Sequence, residues 1–148
     1  MIIRELNEFD LEDCISLFIE VYNQQPWNNE WTYETAKELF NEFSSTKGCI
    51  GYVAIDATKE NEIMSVLIGK QKTWWRGKEY VIEEFFVRPE YQGKGIGTKV
   101  LEFIAKDLKK YGVGNITLLT NTYSEAYPFY LNKDFNENKT LRLLYKNI

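Results

Sequence analysis

Two adjacent carboxylates, Glu83 and Glu84, stand shortly before three glycines at alternate positions, Gly93, Gly95 and Gly97. The glycines lie in Val87-Arg88-Pro89-Glu90-Tyr91-Gln92-Gly93-Lys94-Gly95-Ile96-Gly97-Thr98, between a strand-like run and an amphipathic helical run. They therefore occupy the turn that enters a helix. Backbone N–H groups in such a turn can converge on one anion, and the helix dipole adds favourable potential. Glycine leaves no side chain in the way, Thr98 offers a hydroxyl, and Lys94 or Lys99 offers a charge. The physical expectation is a cradle for a pyrophosphate.

Other glycine-rich turns fit less well. A nucleotide P-loop needs Gly-Lys-Ser/Thr after four residues, and Gly97-Thr98-Lys99 has the wrong order. A dinucleotide fingerprint needs a small residue where Val100 stands and opens the chain, whereas this turn follows a hairpin. An ordinary turn without a ligand is the plainest alternative.

The composition narrows the chemistry. The chain has 148 residues, 44% of them hydrophobic, enough for one domain over 1–148 with a sizeable core. It has no His, which removes Ser-His and Cys-His nucleophiles and any zinc site with a His ligand. A general base must then be a carboxylate, a Tyr, a Lys or a water chain. Cys14 and Cys49 form no metal-binding pair by spacing, and no metal is expected. The net charge of −4 argues against a nucleic-acid partner and suits a cationic amine. The N-terminus lacks the apolar run of a signal peptide, and no stretch approaches membrane-spanning length. A soluble, cytoplasmic protein without a membrane partner is expected.

The elements that must position these residues follow from periodicity. Met1 to Leu6 reads as a strand. Asp10, with Asp13 three residues on, is placed to cap a helix whose apolar face is Leu11, Cys14, Ile15, Phe18 and Tyr22. Gln24 to Asn29 breaks it, and Thr32 caps a second helix with the stripe Ala36, Leu39, Phe40 and Phe43. Strands are expected at Ile50–Ile55, Ile63–Trp74 and Tyr80–Val87, with turns at Asp56–Asn61 and Arg76-Gly77-Lys78. A helix from Gly95 to about Tyr111 buries Ile96, Val100, Phe103, Ile104 and Leu108, and Gly112 closes it. Ile116–Thr120 is a strand, Ser124–Asn132 a short helix and Leu141–Tyr145 a last strand. The result is a mixed α/β domain.

With its flanks, the glycine segment resembles motif A of the GNAT family of N-acetyltransferases, where Gln/Arg-x-x-Gly-x-Gly/Ala binds the pyrophosphate of coenzyme A. Gln92, Gly95 and Gly97 match that motif, with Gly93, Lys94, Ile96 and Thr98 between and beside them. Ala126-Tyr127-Pro128-Phe129-Tyr130-Leu131-Asn132-Lys133-Asp134-Phe135 is similar to the family's Ala-x-x-Phe-Tyr-x-x-x-Gly-Phe, with Asp134 where Gly is usual. Asp accepts left-handed backbone better than most residues. The resemblance is sharp from about Val81 to Phe135. It implies the GNAT acyl-CoA N-acyltransferase fold, α+β with a central mixed, mostly antiparallel sheet flanked by helices, and acetyl-CoA as co-substrate.

The same resemblance implies roles. Tyr130 matches the tyrosine assigned as the acid that protonates the departing thiolate. The backbone of Phe85, Phe86 and Val87 matches the strand that pairs with the pantetheine arm. The Asn that often precedes the short helix is replaced in register by Tyr123, and Asn121 lies two residues earlier. Glu83 and Glu84 are the candidate bases. Strict alternation, with Phe85 and Val87 core-facing, argues for Glu84 unless a bulge intervenes. Similarity of Ile82-Glu83-Glu84-Phe85 to Ile-Asp-Gln-Phe of the aminoglycoside N-acetyltransferase branch favours Glu83. Carboxylates that merely pair with nearby Lys or Arg are the structural alternative.

Acceptor selection is expected in the first two helices and their connection. Trp27, Glu30 and Trp31 there, with Trp74 and Trp75, could wall an amine pocket, since aromatic faces and a carboxylate attract cations. Structural packing or a subunit contact would use the same tryptophans, and the resemblance makes a homodimer compatible with the aromatic content. The expected activity is acetyl transfer to a primary amine of a small molecule, aminoglycoside-like or polyamine-like. Acetylation of a protein N-terminus or Lys, and a non-catalytic acetyl-CoA-binding module, are the alternatives.

Overall fold

In the computed structural model, which describes residues 1–148, the chain divides into two units, Met1–Leu118 and Leu119–Ile148. The first unit opens with β1 (Ile2–Glu5), α1 (Leu11–Tyr22) and α2 (Tyr33–Ser45). Three longer strands follow, β2 (Cys49–Asp56), β3 (Glu62–Trp74) and β4 (Gly77–Val87). After them come α3 (Ile96–Asp107) and β5 (Val113–Leu118). The strands form one sheet in chain order, antiparallel from β1 to β4, with β5 parallel to β4. A parallel pair needs a crossover, and α3 supplies it. This is the mixed, mostly antiparallel α+β architecture expected from the sequence.

Strand alternation gives the sheet two apolar faces. On one, Val53, Ile55, Ile63, Val66, Ile68 and Phe86 meet Cys14, Ile15, Leu17, Phe18 and Val21 of α1 and Ala36 and Phe40 of α2. Phe18 is the hub, with ring centroids 4.7 Å from Tyr22, 5.0 Å from Trp31, 5.6 Å from Phe40 and 5.7 Å from Phe86. On the other face Tyr52 supports α3, its ring 6.1 Å from Phe103 and its hydroxyl donating to Asp107 at 2.9 Å. Phe103, expected to be fully buried, is half-buried, and Leu101 is buried beside the expected stripe.

Local chemistry explains most boundaries. Thr32 caps α2 as expected, exchanging hydrogen bonds with Thr35. Asp10 does not cap α1 through its side chain. Asn7 instead caps a single 3₁₀ turn, Glu8–Asp10, that leads into the helix. Asp10 is taken by Arg4, which donates twice, at 2.7 and 2.8 Å. A bidentate, part-buried ion pair outcompetes a cap. The α3 helix tightens to 3₁₀ over Leu108–Tyr111 and ends at Gly112, φ 75°, the expected cap.

The site is positioned by a bulge in β4. Ile82 pairs with Gly69 and Glu84 with Ile68, so Glu83 is an extra residue in the ladder. Tyr80 and Ile82, before it, are buried outside the α1–α2 core cluster, whereas Phe86, after it, lies within that cluster. The residues Glu84 and Phe86 therefore face α1 although they share the parity of Tyr80 and Ile82.

The second unit contains α4 (Ala126–Leu131), shorter than the expected Ser124–Asn132. The expected strand at Leu141–Tyr145 does not form, and Leu141, Leu143, Leu144 and Tyr145 are exposed. A strand needs a neighbour for its backbone groups, and no strand pairs with this segment. The strand expected at Ile116–Thr120 begins earlier, at Val113, directly after the Gly112 cap. No helix is long and apolar enough to cross a membrane.

Candidate active site

The bulge sets both glutamates against one cleft of about 320 Å³, lined by Leu39, Glu42, Phe43 and Thr46 of α2 and its end, Cys49 of β2, Gly69 and Lys70 of β3, and Glu83 and Glu84 of β4. Their environments differ. Glu84 accepts a hydrogen bond from the Tyr22 hydroxyl at 2.8 Å. Burial pushes its carboxyl above the usual carboxylate range, the Tyr22 bond partly opposes this, and the neighbouring Glu83 charge adds to it. Glu83 is ion-paired with Lys70, Nζ to Oε1 2.6 Å. Burial, and then Glu83, raise the Cys49 thiol above its ordinary value, so it is a poor nucleophile here. A carboxylate whose proton affinity is raised by burial, and which one hydrogen-bond donor orients, is better suited to accept a proton than an ordinary one.

Tyr22 was expected only to pack. The signal for more was its place as the last, half-exposed member of the α1 stripe, where a polar tip can reach out of the core. Its partner, 62 residues away in sequence, carries no local cue.

The glycine turn lies where β4 gives way to α3. Gly93 and Gly95 have φ of 70° and 77°, which favour glycine, and Gly95 is the N-cap of α3. A Cβ at either would meet no protein atom within 4 Å, so the space above both is open. None of the backbone N–H groups from Gly93 through Thr98, which include those of Lys94, Ile96 and Gly97, donates to a protein acceptor. Six such donors at a helix start, with Thr98 and Lys94 beside them, fit a pyrophosphate.

The turn is held from behind. Arg88 donates from Nε to the Ile63 carbonyl at 3.0 Å and pairs through Nη1 with Glu20 at 3.1 Å. The Tyr91 hydroxyl lies 3.0 Å from Asp56 Oδ2 and 2.6 Å from Glu62 Oε2. Gln92 folds back, its Nε2 donating to the Val87 carbonyl at 2.9 Å.

Between turn and cleft runs the second half of β4. β5 pairs with β4 only as far as Ile82–Leu118, so Glu83 to Val87 lie beyond its reach. The Arg88 N–H and the Phe86 carbonyl both turn toward β3. Alternation therefore turns the main-chain groups of Phe85 and Val87 to the other edge.

The aromatic and acidic residues expected around an amine do not form one wall, and Trp75 is exposed beneath Arg76. Trp27 lies against Tyr22, centroids 5.9 Å apart, and Trp31 packs on Phe18, so both belong to the α1–α2 connection near Glu84. Glu30, between them, is exposed. Trp74 is at the far tip of the β3–β4 hairpin, 49% exposed, with Lys72 Nζ 4.8 Å from its ring centre. No ring contact joins Trp74 to Trp27 or Trp31.

In the second unit Tyr130 is buried on α4, its ring 5.3 Å from both Phe129 and Phe135. Asp134 takes φ 62°, so the turn that usually carries Gly is kept, and the N–H of Phe135 donates to the Tyr130 carbonyl at 3.2 Å. Asn121 Oδ1 accepts from the Tyr123 N–H at 2.9 Å.

Comparison with known proteins gives the family and the fold. The model of the acetyltransferase (GNAT) family matches residues 11–135. A segment of 44 residues, 30% of the chain, is 34% identical to thialysine N-ε-acetyltransferase of Bos taurus and spans 26% of that protein. The chain thus matches about a quarter of its curated relative's length. Among solved structures, a GNAT family acetyltransferase from Staphylococcus aureus superposes with a TM-score of 0.73 at 16% identity, covering 99% of this chain and 98% of the other. An aminoglycoside acetyltransferase from an uncultured soil sample, solved with sisomicin, gives 0.75 at 18% identity over 99% and 95% of the two chains.

Proposed function

Because the chain belongs to the GNAT family of acetyltransferases, we propose that it is a cytoplasmic enzyme, one acetyltransferase domain over 1–148, that moves the acetyl group of acetyl-CoA to a primary amine of a small molecule. The observation that carries this is the Tyr22–Glu84 hydrogen bond at 2.8 Å, in a cleft on the strand that leads directly into the glycine turn. A half-buried carboxylate with a raised pKa is matched to taking a proton from an ammonium.

The N–H groups of Gly93 to Thr98, with Thr98 and Lys94, would hold the pyrophosphate, and the edge of Phe85 to Val87 would pair with the pantetheine arm. An acyl thioester, once bound, supplies an activated carbonyl. Glu84 is the proposed base and removes the ammonium proton, directly or through one water. Glu83 binds the ammonium and lowers the cost of bringing it into the cleft. Trp27, Trp31 and Glu30 flank the approach of the amine. Tyr130 is the proposed acid for the thiolate, an assignment that rests on its motif, and Asn121 is carried on the same ground.

A cleft of about 320 Å³ suits a small acceptor. The relatives support the same class, since one is named for the ε-amine of thialysine and another for aminoglycosides. Thiol release from acetyl-CoA across a panel of polyamines, amino acids with side-chain amines, aminoglycosides and short peptides tests this directly. Turnover of at least one small amine, lost in Glu84→Gln, is expected. Turnover of peptides alone would move the acceptor to proteins, and acetyl-CoA binding with no turnover at all would leave a non-catalytic module.

A further inference from the structure

Lys70 is the one cation among the residues lining the cleft, and it is a primary amine on a four-carbon tether. Its Cα pairs with Val81 of β4, and its Nζ reaches the bulged Glu83 at 2.6 Å. It is chemically the kind of acceptor proposed above, already seated on the acceptor's carboxylate. We propose that Lys70 is an internal acceptor, and that without a competing amine the enzyme acetylates its own Lys70 Nζ. This rests on the function proposed above.

Three features support it. The pair is open to solvent, with Lys70 46% and Glu83 33% exposed, so it is weak and can part. The amine is tethered, and intramolecular delivery gains strongly over a dilute free amine. Glu84, the adjacent residue on β4, supplies a base that other surface lysines lack. The groups facing Lys70 are Glu42 from α2, Cys49 from β2 and Glu83 and Glu84 from β4. Among these only Cys49 is a rival nucleophile, and its thiol is held protonated by burial.

The step balances without a redox partner. Lys70 ammonium gives a proton to Glu84, and the free amine forms a C–N bond to the acetyl carbonyl. The C–S bond breaks and the thiolate leaves, taking up a proton, while the nitrogen sheds its second one. The products are an amide at Lys70 and free coenzyme A. The cleft then loses its only cation, and Glu83 is released to bind an external ammonium.

The test is incubation of the full chain with acetyl-CoA and no acceptor, followed by intact mass and peptide mapping. One acetyl group at Lys70 is expected, stable to neutral hydroxylamine, which cleaves a thioester at Cys49. Its rate constant should not depend on protein concentration. It should vanish in Lys70→Arg, slow by about 100-fold in Glu84→Gln, persist in Lys106→Arg (an exposed lysine of α3), and be suppressed by excess turned-over amine. Acetylation spread over many lysines at an equal rate in Glu84→Gln is chemical and overturns the proposal. An unmodified Lys70 in protein that turns over an added amine overturns the proposal and leaves the enzyme function standing. An unmodified Lys70 with no turnover of any amine sinks both.

Discussion

The Tyr22 hydroxyl donates to Glu84 Oε2 at 2.8 Å, joining the end of the first helix to the bulged strand across 62 residues of sequence. The bond favours the charged carboxylate, while burial disfavours it. Tyr22→Phe removes the favourable part, so the Glu84 pKa rises further. The acidic limb of the kcat/KM profile should move to higher pH, with about a tenfold loss at neutral pH, the scale of a hydrogen bond to a charged group. A limb that stays in place while activity falls would mean that Tyr22 acts only by packing.

Glu84→Gln should cost about 10²- to 10³-fold in kcat/KM and yet raise thermal stability at neutral pH. The folded pKa of Glu84 is raised, so the folded chain holds its proton more tightly than the unfolded chain. Stability therefore falls as pH rises from the ordinary carboxylate value through the folded one. The gain in melting temperature should be present at pH 7 and absent where Glu84 is protonated in both states. Calorimetry of both proteins at pH 4 and pH 7 decides it.

Gly95→Val should weaken acetyl-CoA binding by about tenfold or more and cost stability of about 1–2 kcal/mol from a branched residue at positive φ. Gly77→Ala, also at positive φ but at the hairpin tip, should cost stability and leave acetyl-CoA affinity unchanged. Equal losses of affinity in the two, by calorimetric titration, would detach the glycine turn from the coenzyme.

Trp27→Ala should raise acceptor KM by about three- to tenfold, the range of a cation–aromatic contact, with acetyl-CoA KM unchanged. Trp74→Ala should change acceptor KM less, because its ring lies against Lys72 at the hairpin tip. Steady-state kinetics that reverse this order would shift the acceptor toward the hairpin.

The sequence made the layers and the glycine turn readable because each rests on local signals. The α2 cap at Thr32, the stripe of α3 and the Gly112 terminator are set by residues within a turn of one another. Asp134 in left-handed backbone is of the same kind. What failed depended on distant partners. Asp10 looks like a cap until Arg4 is folded beside it, and Leu141–Tyr145 alternates like a strand but pairs with no neighbour. The proposal of Glu84 over Glu83 rests on a bulge, which leaves no mark in strand periodicity, and on a phenol from another helix.

Opposite that bulge Gly69 has no room for a side chain, since a Cβ would fall 2.4 Å from the Val81 carbonyl oxygen and 2.6 Å from the Tyr80 ring. The strands close tightly here, and Glu83 is the one residue of this stretch of β4 without a partner on β3. Deleting Glu83 would leave Ile82 next to Glu84 in an unbroken ladder, and every residue after it would keep its β3 partner and its face. Phe86 would keep its seat against Phe18, and Glu84 its place beside Tyr22. What the extra residue contributes is therefore Glu83 itself, a second carboxylate held in the cleft beside Glu84 and paired with Lys70.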